Sequence, residues 1–243
     1  MFSFIWHSFF FDPIYNTLVF FLDVFPHGDV GLAIIATVIG VKVLLFPLSI
    51  KMVKTQKAMR EIEPKLKEIK LSHKDNREAQ AKAMMELYKE AGVSPFASIL
   101  VLFIQLPVII ALGIVAMYGS GGIKLPNINP EILYSFVPMP DEISMLFLGH
   151  FNIAEASLAL ALLAGITQFA STSLSLPTLP PKKSGETADF KDDFMRNMQL
   201  QMKYVMPIFT TFISYTFSAA IALYFIVSNL TMVVQELIVR KHR

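Results

Sequence analysis

The chain has 243 residues, a formal net charge of +2 and no cysteine, which excludes disulfides, thiolate metal centres and an acylated lipoprotein cysteine. It is 54% hydrophobic and only 16% charged, with its apolar residues in long blocks, so a soluble single-core domain is excluded in favour of a membrane protein. The N-terminus, MFSFIWHSFFFDP, has no Lys or Arg before its apolar part and lacks the marks of a signal or transit peptide. A bacterial plasma membrane is the simplest location.

Residues 9–25 (FFFDPIYNTLVFFLDVF) are interrupted by Asp12, Pro13 and Asp23. They predict a helix lying on the outer surface, within an amphipathic segment 1–29; a full extra span is the rival reading. Residues 30–50 (VGLAIIATVIGVKVLLFPLSI) predict the first transmembrane helix, with Lys42 as its one charge. Segment 51–94 is the most polar part and predicts a cytoplasmic helical hairpin, bent near Pro64. Asp75 or Asn76 can cap its second helix, and Gly92 can end it. A second span follows at 95–118, an extracytoplasmic loop at 119–152, a third span at 153–176 and a cytoplasmic loop at 177–203. The stretch 177–190 (PTLPPKKSGETADF) predicts a flexible loop.

The run from Tyr204 to Gln235 carries no charge, and as one straight helix its 32 residues would be roughly 48 Å long against a hydrocarbon core of about 30 Å. Charge decides how it folds. Of 21 Lys and Arg, eleven lie in 51–94, five in 182–203 and three in 240–243, whereas only Lys124 lies in 119–152. Basic residues favour the cytoplasmic side, so both basic loops and the C-terminal tail 240–243 belong inside. One span after residue 203 would put that tail outside; two spans, 204–217 and 220–239 with "FSAA" (217–220) as the corner, put it inside. The predicted fold is therefore all-α and multi-pass. It has five transmembrane helices, a cytoplasmic hairpin and an N-terminal interfacial helix, with the N-terminus outside and the C-terminus in the cytoplasm.

Lys42 lies nine residues before Lys51, which at 1.5 Å per residue places it about 13 Å deep, near mid-core. Facing lipid, its charge would cost somewhere between about 3 and over 10 kcal/mol. A snorkelling stem covers only part of that distance, so a water-containing cavity between helices is the better reading. Other polar residues fall where they could line it. Ser49 is seven residues on, near the same helical face, and Gln105 lies in "FIQLP" of the second span. Gln168, Thr172 and Ser175 follow helical spacing on the third, and Thr210 and Ser214 are four apart on the fourth. Tyr224, Ser228, Thr231 and Gln235 share one side of the fifth, with Asn229 adjacent. For any single Ser or Thr, interhelical bonding is the simpler account. The set together with one unpaired cation favours a hydrophilic groove.

The five histidines are scattered without metal-ligand spacing. No nucleophile–base pair, Gly-rich phosphate loop or carboxylate pair is present, so neither an enzyme nor a cofactor is expected.

Several stretches carry a family likeness: "KVLLFPLSIKMVKTQKAM" with "EPKLKEI", "MELYKEAGVSPFASILVLFIQLPVIIAL", "MKYVMPIFTTFISYTF" and "ALYFIVSNLTMVVQELIVRK". Their order resembles that of the YidC/Oxa1/Alb3 membrane protein insertases over residues 12–241. The likeness is to a bacterial five-helix core form without the large outer domain or long basic tail of some relatives. The resemblance implies five helices around a groove open to the cytoplasm and to lipid but closed outside. It implies that the groove receives hydrophilic segments of nascent membrane proteins and that their apolar helices pass into the bilayer. The usual arginine of bacterial members falls at Lys42, which keeps the charge without the planar fork. "FSAAIALY" stands where relatives commonly have Pro or Ser followed by Gly, which implies a less sharp corner. Partners implied are nascent membrane proteins and the lipid bilayer. The hairpin is expected to meet the ribosome, the signal recognition particle machinery or the Sec translocon, and no sequence-specific nucleic-acid binding is expected. A small-solute transporter or anion channel with Lys42 as its binding cation is the alternative, and an assembly partner without insertase activity is a third.

Overall fold

Helix-forming apolar runs dominate the chain, and prolines set where its helices change course. The computed structural model describes residues 2–74, 76–94, 106–115, 124–175 and 200–241, and is mostly helical. A continuous helical run opens the chain: α1 (Phe2–Trp6), a π turn (His7–Phe11) and α2 (Asp12–Val24). Pro13 has no N–H to offer the Phe9 carbonyl, and the ladder widens just ahead of it, the Asp12 N–H bonding the His7 carbonyl. The same device recurs before Pro207, where Met206 N–H bonds the Gln201 carbonyl across the π turn Gln201–Val205.

The chain divides into two compact units, Met1–Val43 with Pro107–Glu236, and Leu44–Leu106 with Leu237–Arg243. In the first, α3 (Val30–Leu44) follows a 3₁₀ turn (Pro26–Gly28). Helix α7 covers 106–115, and β1 (Leu146–Phe147) pairs antiparallel with β2 (Phe151–Asn152). Helices α8 (Leu158–Ser175), α9 (Met206–Phe217) and α10 (Ala219–Lys241), the last as far as Glu236, complete it. Leu18, Val19 and Leu22 of α2 share one buried core with Ile34 and Val38 of α3, Leu112 of α7, Ile153, Ala164 of α8 and Leu223 of α10. Among the described residues Leu158–Ser175 and Ala219–Ile238 are long and apolar enough to cross a membrane, and Val30–Leu44 is a shorter apolar helix.

The second unit holds α4 (Phe46–Glu61), α5 (Glu63–Ser72) and α6 (Arg77–Glu90). The helix break falls at Ile62, with Pro64 in the first turn of α5. Asn76 caps α6 by accepting the Ala79 N–H at 3.0 Å. Gly92 follows α6 at φ +63°, a left-handed conformation that a glycine adopts without steric cost.

The N-terminal helix starts at Phe2, earlier than the expected residue 9. Helix α3 ends at Leu44 and α4 begins at Phe46, because Pro47 in the first turn of α4 cannot bond the Val43 carbonyl. The corner after α9 is sharp, consisting of Ser218 alone in an extended conformation (φ −170°, ψ 167°). No glycine is needed, because the first N–H groups of α10 find outside acceptors: Ala219 N–H bonds the Glu155 carbonyl at 2.7 Å and Ala220 N–H that of Ile153 at 3.1 Å. The predicted span 95–118 is described only over 106–115, and the 177–190 stretch lies outside the described residues.

The segment 124–157 is folded against the N-terminal helices. Asn16, buried on α2, donates to the Ile132 carbonyl at 2.9 Å and accepts the Tyr134 N–H at 2.6 Å. Beside it the Tyr15 hydroxyl accepts the Asn129 N–H at 2.9 Å. Burial raises the Tyr15 phenol above its ordinary value more than that N–H lowers it, so it stays protonated at neutral pH. Asp29 caps α3 through the Leu32 N–H (3.0 Å) and ties down the hairpin through the Leu148 N–H (2.9 Å). At Gly28, φ +60°, a Cβ would run into the Glu142 carbonyl. Asn16→Ala strands two backbone groups, so a loss of about 2 to 3 kcal/mol is expected. Thermal unfolding in detergent and faster proteolysis within 124–137 would report it.

Candidate functional site

Lys42 is positioned by α3. The buried face of that helix runs through Val30, Ile34 and Val38 in steps of four, and Lys42 is the next step in the row. Its side chain is half-buried. Val43 and Leu44, at 66% and 78% exposed, take the other sides of the helix. Among the described residues Lys42 makes no hydrogen bond and no ion pair. Thr37, fully buried five residues earlier, satisfies its hydroxyl within the helix by donating to the Ala33 carbonyl at 2.7 Å. Among the described residues the Lys42 cation is thus a polar group of α3 without a partner.

The other predicted residues divide by helix. On α8 the Gln168 amide donates to the Thr172 hydroxyl at 3.1 Å; Gln168 and Ser175 are half-buried and Thr172 is buried. On α9, which packs along α8, Thr210 and Ser214 are buried at helical spacing with Pro207. The Ser214 hydroxyl has no partner among the described residues, an open donor for water or a polar guest. On α10 Tyr224, Ser228, Asn229 and Gln235 are buried, and Thr231 is half-buried with its hydroxyl on the Val227 and Ser228 carbonyls at 2.9 and 2.8 Å. Asn229 joins two helices: its amide donates to the Thr167 hydroxyl (3.3 Å) and the Ala164 carbonyl (3.4 Å) of α8. Asn229→Leu is expected to loosen this pairing by about 0.6 to 1.7 kcal/mol, read as a lower melting temperature in detergent.

Ser49 belongs to α4 in the second unit, beyond the end of α3 at Leu44. Gln105 lies outside the described residues. The sequence reading passed over Thr167, Ser171 and Ser218, all buried. Thr167 and Ser171 are four apart, a signal equal to that of Gln168 and Thr172 one position along, and the contact of Thr167 with Asn229 of α10 is one that spacing does not show. Among the described residues no three His, Asp or Glu side chains gather where a metal ion could sit.

The family described as 60Kd inner membrane protein matches residues 21–243. A membrane protein insertase YidC of Oceanobacillus iheyensis is 33% identical over 98% of this chain and 84% of its own length. Those of Pelobacter propionicus and Shewanella halifaxensis are each 30% identical, over 97% and 93% of this chain. The chain spans 39% and 36% of the length of those two relatives.

Proposed function

The chain belongs to the 60Kd inner membrane protein (YidC/Oxa1) family, and on that premise we propose that it is a membrane protein insertase whose Lys42 draws hydrophilic segments of nascent chains into a cytoplasm-open groove. Five spans, at 30–50, 95–118, 153–176, 204–217 and 220–239, enclose that groove in this reading. The N-terminus is outside, and the 51–94 hairpin and C-terminus are in the cytoplasm of a bacterial plasma membrane. Nascent membrane proteins are its substrates, and the hairpin is the part that meets ribosome, targeting factors or translocon. The observation that carries the reading is the cation at the end of the buried row Ile34–Val38, which has no partner among the described residues. A lysine that served only to snorkel would gain from leaving the helix on the lipid side, among Val43 and Leu44.

The work done is physical. Taking a charged tail through hydrocarbon costs several kcal/mol per charge, and a wet groove reaching part-way shortens the dry path. Lys42 attracts acidic residues of the tail, worth about 1 to 4 kcal/mol for a pair near 4 Å. The membrane potential then pulls acidic charge outward by roughly 2.3 kcal/mol per charge per 100 mV. The folded 124–157 segment, held by Tyr15, Asn16 and Asp29, supports a seal at the outer end. The test is reconstitution of the purified chain in vesicles with a single-spanning substrate bearing an acidic tail. Protease protection of the translocated tail is expected. Solute flux without such protection would favour the channel alternative.

A further inference from the structure

We propose that Lys203, with the rings of Phe169 and Tyr204, binds the phosphate of an acidic phospholipid on the lipid-facing seam between α8 and α9. This rests on the reading that α8 and α9 are membrane helices with 177–203 on the cytoplasmic side.

The Lys203 ammonium lies 5.7 Å from the Phe169 ring centroid and 5.5 Å from that of Tyr204, and the two rings are 5.8 Å apart. Phe169 belongs to α8, whereas Lys203 and Tyr204 belong to the π turn that leads into α9, so the cluster joins two helices. Among the described residues Lys203 makes no ion pair. A cation over π faces keeps its full charge, and the rings restrain it without neutralising it. Both rings are open to their surroundings, at 40% and 51% exposed.

Two apolar rows run from this point. On α8, Leu162, Ile166 and Phe169 follow helical spacing and are all exposed; so are Tyr204 of the π turn and Ile208 and Phe212 of α9, four apart. Both rows end at the ring pair beneath Lys203. A ligand with one anionic head and two apolar chains fits this layout, with the phosphate at the ammonium and a chain along each row. Aromatic side chains with a basic partner are also what headgroup depth selects. Free phosphate shares the head chemistry but makes no use of the rows.

The test places one tryptophan in the cluster, Phe169→Trp in a Trp6→Phe background, with Tyr204→Trp as a second reporter. The full chain is reconstituted in phosphatidylcholine vesicles carrying a minor fraction of lipid brominated high on the acyl chain, either phosphatidylglycerol or phosphatidylcholine. Brominated phosphatidylglycerol is expected to quench about fivefold more effectively. The preference should vanish in Lys203→Gln, return in Lys203→Arg and persist in millimolar inorganic phosphate. Equal quenching by the two lipids, or a preference that survives Lys203→Gln, overturns the site. Loss of the preference on adding phosphate assigns the cluster to the free anion and overturns the lipid assignment. Absence of quenching by either lipid overturns the membrane placement of α8 and α9, and the proposal with it.

Discussion

Lys42→Glu is expected to abolish insertion of substrates with acidic tails, Lys42→Ala to reduce it roughly tenfold, and Lys42→Arg to leave it close to the parent level. The tenfold figure is the kinetic equivalent of about 1.4 kcal/mol, inside the range for one charge pair in partly hydrated surroundings. Glutamate goes further because it turns attraction into repulsion at the same place. Arginine keeps the charge, and its fork adds donors that one ammonium lacks. A substrate with a neutral tail is the control, since it gains nothing from the cation and should insert equally well with all four proteins. Protected fragments counted in reconstituted vesicles give the result, and a fully active glutamate variant would defeat charge attraction outright.

Gly165→Leu is expected to leave little folded protein, and Gly165→Ala to cost about 1 to 3 kcal/mol, the usual range for overpacking a tight interface. Gly165 is buried on α8 against Pro207 and Thr211 of α9. A Cβ there would collide with the Thr211 hydroxyl and lie 3.1 Å from the Pro207 carbonyl. Neither neighbour yields easily, because the Thr211 hydroxyl donates to that same carbonyl at 3.0 Å. Small residues at such crossings let membrane helices approach. Adding Thr211→Ala to Gly165→Ala removes the colliding oxygen and should recover part of the loss. That non-additivity, measured by thermal unfolding in detergent, separates a local clash from a general intolerance of alanine. Strict additivity of the two variants would count against the clash.

Much of the architecture was legible because membrane proteins write their constraints in composition. A charge-free run too long for one crossing, combined with where the lysines fall, was enough to divide 204–235 in two. In the structure a helix break falls at Ser218. The sharpness of that break was not legible. It depends on Glu155 and Ile153, some sixty residues earlier in sequence, offering carbonyls to the first turn of α10. The site shows the same division. Lys42 stands out in any reading of residues 30–50, but its continuation of a buried row needs the helix and its packing.

What the chain alone determined was its class and its odd residue out: apolar blocks demand helices with internally satisfied backbones, and a lone cation among them demands water or a partner. Only the tertiary structure decided which polar groups are already spent. Asn229 faces Thr167 and Asn16 faces the 132–134 backbone, while Lys42 faces neither a carboxylate nor a carbonyl among the described residues. The reason is physical. Periodicity says which side of its own helix a residue occupies, but hydrogen bonds and steric fit across helices depend on which faces meet, and that is a property of the folded assembly.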